Sequence, residues 1–298
     1  MAGRGFSWRR SRALALCGML GLLWIGTARG QSRDEIAPRA PERVADRSAP
    51  VLSVPRPALA PNQANEHPLL PIVRWAHDGL RELDKIQDYS AVIVKRERID
   101  GKVGEANTML IKVRHKPFSV YMNFLKPDSL KGREVIYVEG ANDGKMFAHG
   151  TRFERIAGTL PLDPTGPIAM RDNRYPITDI GLYNLVRRLA EVGEKDSKYG
   201  ECEVKFFPGA KINKRDCTCI EVVHPKARRN FLFHVARIFV DDEWNIPTRY
   251  ESHDWPAKAG GKPELIEEYT YLNLKFNNGF TNSDFDIRNP NYDFPPRK

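Results

Sequence analysis

Residues 88–149 read DYSAVIVKRERIDGKVGEANTMLIKVRHKPFSVYMNFLKPDSLKGREVIYVEGANDGKMFAH. Short runs rich in Val, Ile, Tyr, Phe and Met alternate here with sequences that favour tight turns. The turns are Asp100-Gly101, Lys116-Pro117, Lys126-Pro127-Asp128 and Asn142-Asp143-Gly144. Such spacing is typical of sequential antiparallel strands, so the stretch predicts a meander of several strands.

Two consecutive runs in this stretch alternate between an apolar and a mixed face. Within 107–115 and 118–125 nearly every second residue is apolar, whereas the residues between them include Lys112 and Asn123. This pattern is expected of a sheet with one covered side. We predict that the apolar face forms the wall of a hydrophobic hollow, made of Met109, Ile111, Val113, Phe118, Val120, Met122 and Phe124.

Segments with helical spacing lie on both sides of the meander. From Pro71 to Ile86, apolar residues recur at intervals of three and four, as in an amphipathic helix. A second helix is predicted from Asp179 to Val192, with Thr178 as its N-cap and Gly193 as its end. Further strands are predicted over 200–207, 217–224, 231–240, 247–254 and 264–276. The pattern therefore indicates an α+β fold in a single domain over 69–287, with a flexible tail over 288–298.

The net charge of +9 gives a misleading picture of the chain. Five of the 47 basic residues are arginines in the first 30 positions, which contain no acid, so 42 basic residues face 38 acidic ones elsewhere. A balance of +4 does not favour nucleic acid as a partner.

The first 68 residues have the composition of a targeting segment and a tether. Residues 1–30 place arginines before a short apolar run and small residues after it, which predicts a signal peptide. The alternative is an uncleaved N-terminal anchor. Residues 31–68 are rich in Pro, Ala, Arg and Ser, which predicts a disordered linker. We therefore expect an exported protein of the periplasm or cell envelope, peripheral to a membrane at most.

A Pro-rich segment interrupts the strand pattern over 157–177. Long connections in compact domains often act as lids or binding segments. Its polar and aromatic centre is a candidate lid, made of Met170, Arg171, Asp172, Asn173, Arg174 and Tyr175. The alternative is a connection that only wraps the end of the sheet.

Three cysteines lie outside the predicted signal peptide. We expect a disulfide between Cys202 and either Cys217 or Cys219, because a hairpin would bring neighbouring strands together and exported proteins favour disulfides. A zinc site that adds His224 is the alternative, but the C-x-C spacing lacks a second close pair. We therefore predict no metal site.

Sequence motifs for catalysis are absent. The chain contains no H-E-x-x-H, no G-x-S-x-G and no P-loop, so we predict no catalytic residues and no cofactor.

Longer stretches resemble a known family. The run from YSAVIVKRERIDGK to DGKMFAH, followed by LDPTGPIAMRDNRYPITDIG, is similar to an exported bacterial domain-of-unknown-function family, the one numbered 1571. The order of elements also resembles, more distantly, the lipoprotein-carrier superfamily that includes LolA, LolB and RseB-type sensors. That resemblance implies a curved antiparallel sheet, an incomplete β-barrel wrapped around about two helices, whose concave face holds acyl chains or a peptide.

These observations give a leading hypothesis and two alternatives. The leading one is a non-enzymatic binder or carrier of a lipid-like or lipoprotein ligand, with an envelope protein as a further partner. One alternative is an enzyme that acts on envelope polymers through the 170–175 segment. The other is a structural or scaffold protein of the envelope.

Overall fold

The computed structural model describes residues 66–258 and 260–296. The predicted signal peptide and all but the last three residues of the predicted linker lie outside this part of the chain. Three helices are α1 (Leu70–Leu83), α2 (Pro167–Met170) and α3 (Leu182–Asp196). None of the helices in the described ranges is both long and apolar enough to cross a bilayer.

Twelve strands complete the regular structure. They are β1 (Asp88–Ile99), β2 (Lys102–Val103), β3 (Asn107–Arg114), β4 (Ser119–Lys126), β5 (Glu134–Val138), β6 (Met146–His149), β7 (Leu160–Leu162), β8 (Glu203–Ile212), β9 (Arg215–Val223), β10 (Val235–Asp241), β11 (Pro247–Asp254) and β12 (Glu264–Phe276).

All strands belong to one open antiparallel sheet. Its order is β7-β6-β5-β4-β3-β1-β12-β11-β10-β9-β8, and β2 pairs only with β1. Strands β7 and β8 are the two edges, and they do not pair with each other within the described ranges. The structure confirms an α+β fold built on an incomplete barrel.

The alternation in the meander sets the inner face of this sheet. Met109, Ile111 and Val113 on β3 are each at most 1 % exposed, while the residues between them are partly exposed. The same core contains Leu83 of α1 and Leu182 of α3. The two long helices therefore cover the face that the sequence pattern predicted to be covered.

The helix predicted from Asp179 begins three residues later because of Gly181. Residues Ile177–Asp179 form a 3-10 turn, and Gly181 has a φ of +108°. A Cβ at Gly181 would lie 2.8 Å from the Tyr89 hydroxyl oxygen, which accepts a hydrogen bond from the Leu182 N–H at 2.9 Å. Only glycine fits that backbone conformation without strain.

The C-terminal segment, part of the region 288–298 that the sequence predicts to be a flexible tail, packs on the outer face of the sheet. The Tyr292 ring stacks on Tyr121 with centroids 3.9 Å apart, and Phe294 makes an edge contact with His149 at 5.0 Å. The Asp293 N–H donates to Glu134 Oε2 at 2.7 Å. The apolar outer surface of β4 and β5 explains this packing.

The predicted disulfide is wrong, because the register of β8 and β9 separates the cysteines. Cys219 lies opposite Phe207 and Cys217 opposite Ala210, whereas Cys202 precedes the Glu203–Val223 pair. Five residues of extended strand place Cys202 roughly 16 Å from the position facing Cys219, far beyond disulfide reach. All three thiols in the described ranges are free and buried, and burial, aided by Asp196, raises the pKa of Cys202 to about 12.

A buried pair of polar residues joins the end of α3 to the sheet. Asp196 is 2 % exposed and His224 is fully buried. Asp196 Oδ2 lies 3.4 Å from His224 Nε2, and neither atom has a hydrogen-bond partner within the described ranges. Burial raises the pKa of Asp196 to about 6 and lowers that of His224.

The close contact between α1 and α3 predicts opposite effects for two glycines. A Cβ at Gly193, where the helix was predicted to end, would lie 2.7 Å from Val73 Cγ2, so Gly193→Ala should destabilise the fold by about 1–2 kcal/mol. Gly79→Ala on α1 meets nothing within 4 Å and should stabilise it by about 0.5–1 kcal/mol. Urea unfolding of both variants tests this; equal effects of the two substitutions would contradict the packing described here.

Asp196 predicts a specific dependence of stability on pH. Its folded pKa of about 6 exceeds the ordinary 3.8, so the folded state holds the proton more tightly. The contribution of protonated Asp196 to the free energy of unfolding is then lost as pH rises from 3.8 towards about 6, and it stays lost above about 6. Asp196→Asn should recover about 1–3 kcal/mol at about pH 7 and much less at about pH 4.

The matched control for this prediction is Glu191→Gln, an exposed carboxylate on the same helix. Unfolding curves across this pH range should show no comparable pH-dependent gain for Glu191→Gln. A gain for Asp196→Asn that is equal at both ends of the range would contradict the assignment.

Candidate functional site

A cavity of 850 Å³ lies on the helix-covered face of the sheet. Its walls come from strands on both sides of the central β1–β12 pair, from α3 and from the connection between β7 and α3. It is open to solvent at a mouth, which we define by the exposed lining residues Leu160, Ile168 and Leu232.

Three of the seven residues predicted for the hollow line this cavity. They are Met109, Met122 and Phe124, at the ends of β3 and β4 nearest the lid. Other apolar lining residues come from strands that the alternation pattern did not single out, among them Ile93, Val135, Met146 and Tyr271.

The other four predicted wall residues lie in the packed core. Ile111 and Val120 are 0 % exposed, Val113 is 1 % exposed, and Phe118 packs against Tyr137. Leu83 of α1 and Leu182 of α3 belong to the same core and fill this part of the hollow. A separate small cavity of 90 Å³ lies between the two helices and strands β9 to β11. These four residues therefore pack in the core and do not line the large cavity.

Two buried carboxylates lie at the polar end of the large cavity. Glu97 on β1 and Glu267 on β12 are directly opposite each other in the strand register, and they are 6 % and 5 % exposed. Like charges at such positions destabilise a sheet unless cations or hydrogen-bond donors compensate them.

Lys95 and Arg174 supply the compensating charges. Lys95 Nζ lies 3.0 Å from Glu97 Oε2 and also donates to the Asn173 side chain. Arg174 Nε donates to Glu267 Oε2 at 3.0 Å, and the Arg174 backbone N–H donates to Glu97 Oε2 at 3.2 Å. Burial is the largest single influence and lowers the pKa of Arg174, but the charges and hydrogen bonds of Glu267 and Tyr175 together raise that pKa above its usual value.

Two tyrosines complete this hydrogen-bond network. Tyr269 donates to Glu97 Oε1 at 2.5 Å, and Tyr175 donates to Glu267 Oε1 at 3.2 Å. Burial, followed by the charge of Glu267, raises the pKa of both phenols. Both phenols therefore stay protonated and act as donors to the carboxylates.

The segment 170–175, named the lid here, covers this end of the cavity. Asn173, Arg174 and Tyr175 bind the carboxylate network, and the exposed Arg171 and Asp172 also line the cavity. Met170 does not line it. The charged end of the first strand, Lys95 to Arg98, was the sequence signal that could have predicted where the lid contacts the sheet.

Within 66–258 and 260–296, no three His, Cys, Asp or Glu side chains are arranged to hold a metal ion. The acidic groups at the cavity are instead bound by cations and hydroxyls of the chain itself.

A family model described as a protein of unknown function, DUF1571, matches residues 86–294. The chain belongs to this family, which confirms the resemblance seen in the sequence. No curated protein matches the chain significantly.

Several solved structures are distantly similar. The Mycobacterium tuberculosis lipoprotein LppX is 13% identical over 73% of this chain and 98% of its own, with a TM-score of 0.40. A LolA superfamily protein from Nitrosomonas europaea is 10% identical over 71% and 97%, with a TM-score of 0.29. A DUF1329 family protein from Desulfovibrio piger is 12% identical over 72% and 97%, with a TM-score of 0.36.

The ion pair between Arg174 and Glu267 predicts how the lid is held. Arg174→Gln leaves Glu267 buried without its cation, so the free energy of unfolding should fall by about 2 kcal/mol. Amide hydrogen exchange of the lid should become faster as well. Arg171→Gln is the matched control, because Arg171 is also exposed but has no ion pair among the described residues. It should change the free energy of unfolding by no more than about 0.5 kcal/mol and leave the exchange rate of the lid unchanged. Equal exchange rates in the two variants would show that the ion pair between Arg174 and Glu267 does not hold the lid.

Proposed function

We propose that this member of the DUF1571 family is a non-enzymatic binder or carrier of an amphiphilic, lipid-like ligand, which it holds in the large cavity. The observation that carries the proposal is the cavity itself. Its 850 Å³ lies within the range of about 300–1,000 Å³ usual for ligand sites. It lies on the face of the sheet that α1 and α3 leave partly uncovered.

The two ends of the cavity differ in chemistry, which supports an amphiphile over a purely apolar ligand. One wall carries Met109, Met122 and Phe124, which suit a flexible hydrocarbon chain. The other end carries Glu97, Glu267 and their donors, which suit a polar group. The acyl or alkyl part would lie along β3 and β4, and the polar group would lie beneath the lid.

The lid supports retention of a ligand over catalysis. Asn173 and Arg174 are bound to Lys95 and Glu267, so these side chains cover the polar end of the cavity. An enzyme acting through the 170–175 segment would need such groups available to a substrate. Arg171 and Asp172 are exposed members of the lid that form no ion pair with the carboxylates.

The place of action is part of this proposal. The composition of residues 1–30 predicts export, and a lipid-like ligand exists chiefly at membranes. We therefore place the protein in the periplasm or cell envelope, with a lipid-like molecule or lipoprotein as its ligand.

A cavity-filling substitution tests the function. Ala148→Trp places a large side chain inside the cavity, whereas Ala257→Trp places the same side chain at an exposed site outside it. Titration with a fluorescent fatty acid should show uptake by the wild type and by Ala257→Trp, and uptake weaker by roughly tenfold or more in Ala148→Trp.

Circular dichroism shows whether both tryptophan variants keep the fold. Equal uptake by the two folded variants would place binding outside the cavity and contradict the proposal. Failure of the wild type to take up any of a fatty acid, a lysophospholipid and an acylated peptide would contradict it as well.

A further inference from the structure

The mouth of the cavity is bordered by aliphatic side chains that face water. Ile168 is 62 % exposed, Leu232 is 57 % and Leu160 is 38 %, although all three line the cavity. Ile156, in the 3-10 helix Arg152–Ala157 that precedes β7, is 66 % exposed. Large apolar groups clustered at one opening mark a surface that contacts another apolar phase or partner.

These side chains come from distant parts of the fold. Leu160 lies on the edge strand β7, Ile168 on α2, and Leu232 in the connection between β9 and β10. The exposed aliphatic groups therefore surround the opening from both halves of the sheet. Their continuity with the interior wall gives an apolar path from the cavity to the surface.

A cationic segment adjoins this rim. Residues 225–232 contain Lys226, Arg228 and Arg229 and no acid. Glu201 pairs with both Lys226 and Arg228, and Arg229 has no ion pair among the described residues. Segment 225–232 therefore carries three cations against the single acid Glu201, and this excess positive charge lies beside Leu232.

We propose that the rim of the mouth docks directly on the surface of an anionic lipid bilayer. The proposal rests on the proposed function, because a ligand that prefers a membrane must cross water unless the mouth meets the membrane. Aliphatic residues beside cations are the composition that inserts into the interfacial region of anionic membranes. Aromatic anchors, which dominate protein–protein contacts, do not occur among the three exposed apolar residues that define the mouth.

In this arrangement Ile168 and Leu232 enter the headgroup region, and segment 225–232 contacts anionic phosphates. The ligand then moves between membrane and cavity past the aliphatic side chains of the mouth.

Flotation with vesicles tests the docking surface. The probes are vesicles of phosphatidylcholine alone and of phosphatidylcholine mixed with phosphatidylglycerol. The wild type should bind the mixed vesicles, and the double variant Ile168→Ser with Leu232→Ser should bind them roughly tenfold or more weakly, since those side chains carry the insertion. Phe207→Ser is the matched control, because Phe207 is 48 % exposed on the edge strand β8 and does not line the cavity.

Equal vesicle binding by the wild type and the double variant would overturn the proposal. The proposal would also be overturned if the wild type bound neither kind of vesicle. If the rim then captured an envelope protein in a manner that the double variant abolished, the occupant would be that protein and not a membrane. Unchanged thermal unfolding of the variants establishes that the surface substitutions preserve the fold.

Fatty-acid uptake without vesicles separates this proposal from the proposed function. A second variant, Ile156→Ser with Arg229→Gln, changes no residue that lines the cavity, so it should weaken vesicle binding and still take up the monomeric fluorescent probe. Uptake without rim-dependent vesicle binding would refute docking and leave the carrier function standing. Rim-dependent vesicle binding without uptake would refute the carrier function and leave only a membrane-docking surface.

Discussion

Two carboxylates that face each other at the centre of the sheet determine much of the rest of this structure. Glu97 and Glu267 are buried opposite one another on β1 and β12, the pair that joins the two halves of the sheet. Their charges would be costly in that position without partners. Lys95 supplies one cation from the same strand, and the lid supplies Arg174. The need to compensate these carboxylates thus holds a loop across one end of an otherwise open face.

The path of the chain explains why helices fill one part of that face and leave a cavity over another part. Strands β7 and β8 lie at opposite edges of the sheet, so the chain between them must cross the inner face. The crossing supplies the lid and α3, and α3 packs closely against α1 where Gly193 meets Val73. Two helices in such close contact cover only part of a sheet of this width, and the uncovered part is the cavity.

The sequence predicted what depends on local pattern and failed where distant strands meet. Alternation identified the inner face at Met109 and Ile111, because side-chain direction in a strand has a period of two. It could not show that Ile111 lies beneath helices, since that depends on how α1 and α3 cross the sheet. The disulfide prediction failed on register, because a bulge between Phe207 and Ala210 and the turn position decide which residues face Cys217. The pairing of Glu97 with Glu267 joins distant strands, and no local pattern reports such a pairing.

Mass spectrometry of an organic-solvent extract of the protein, purified from the cells that make it, tests most directly whether the cavity beneath the lid holds an amphiphile, as we propose. We expect one amphiphile of a defined class per chain, with a hydrocarbon part and a polar group. An extract free of amphiphile, from folded protein that also takes none up when it is supplied, would contradict the proposal.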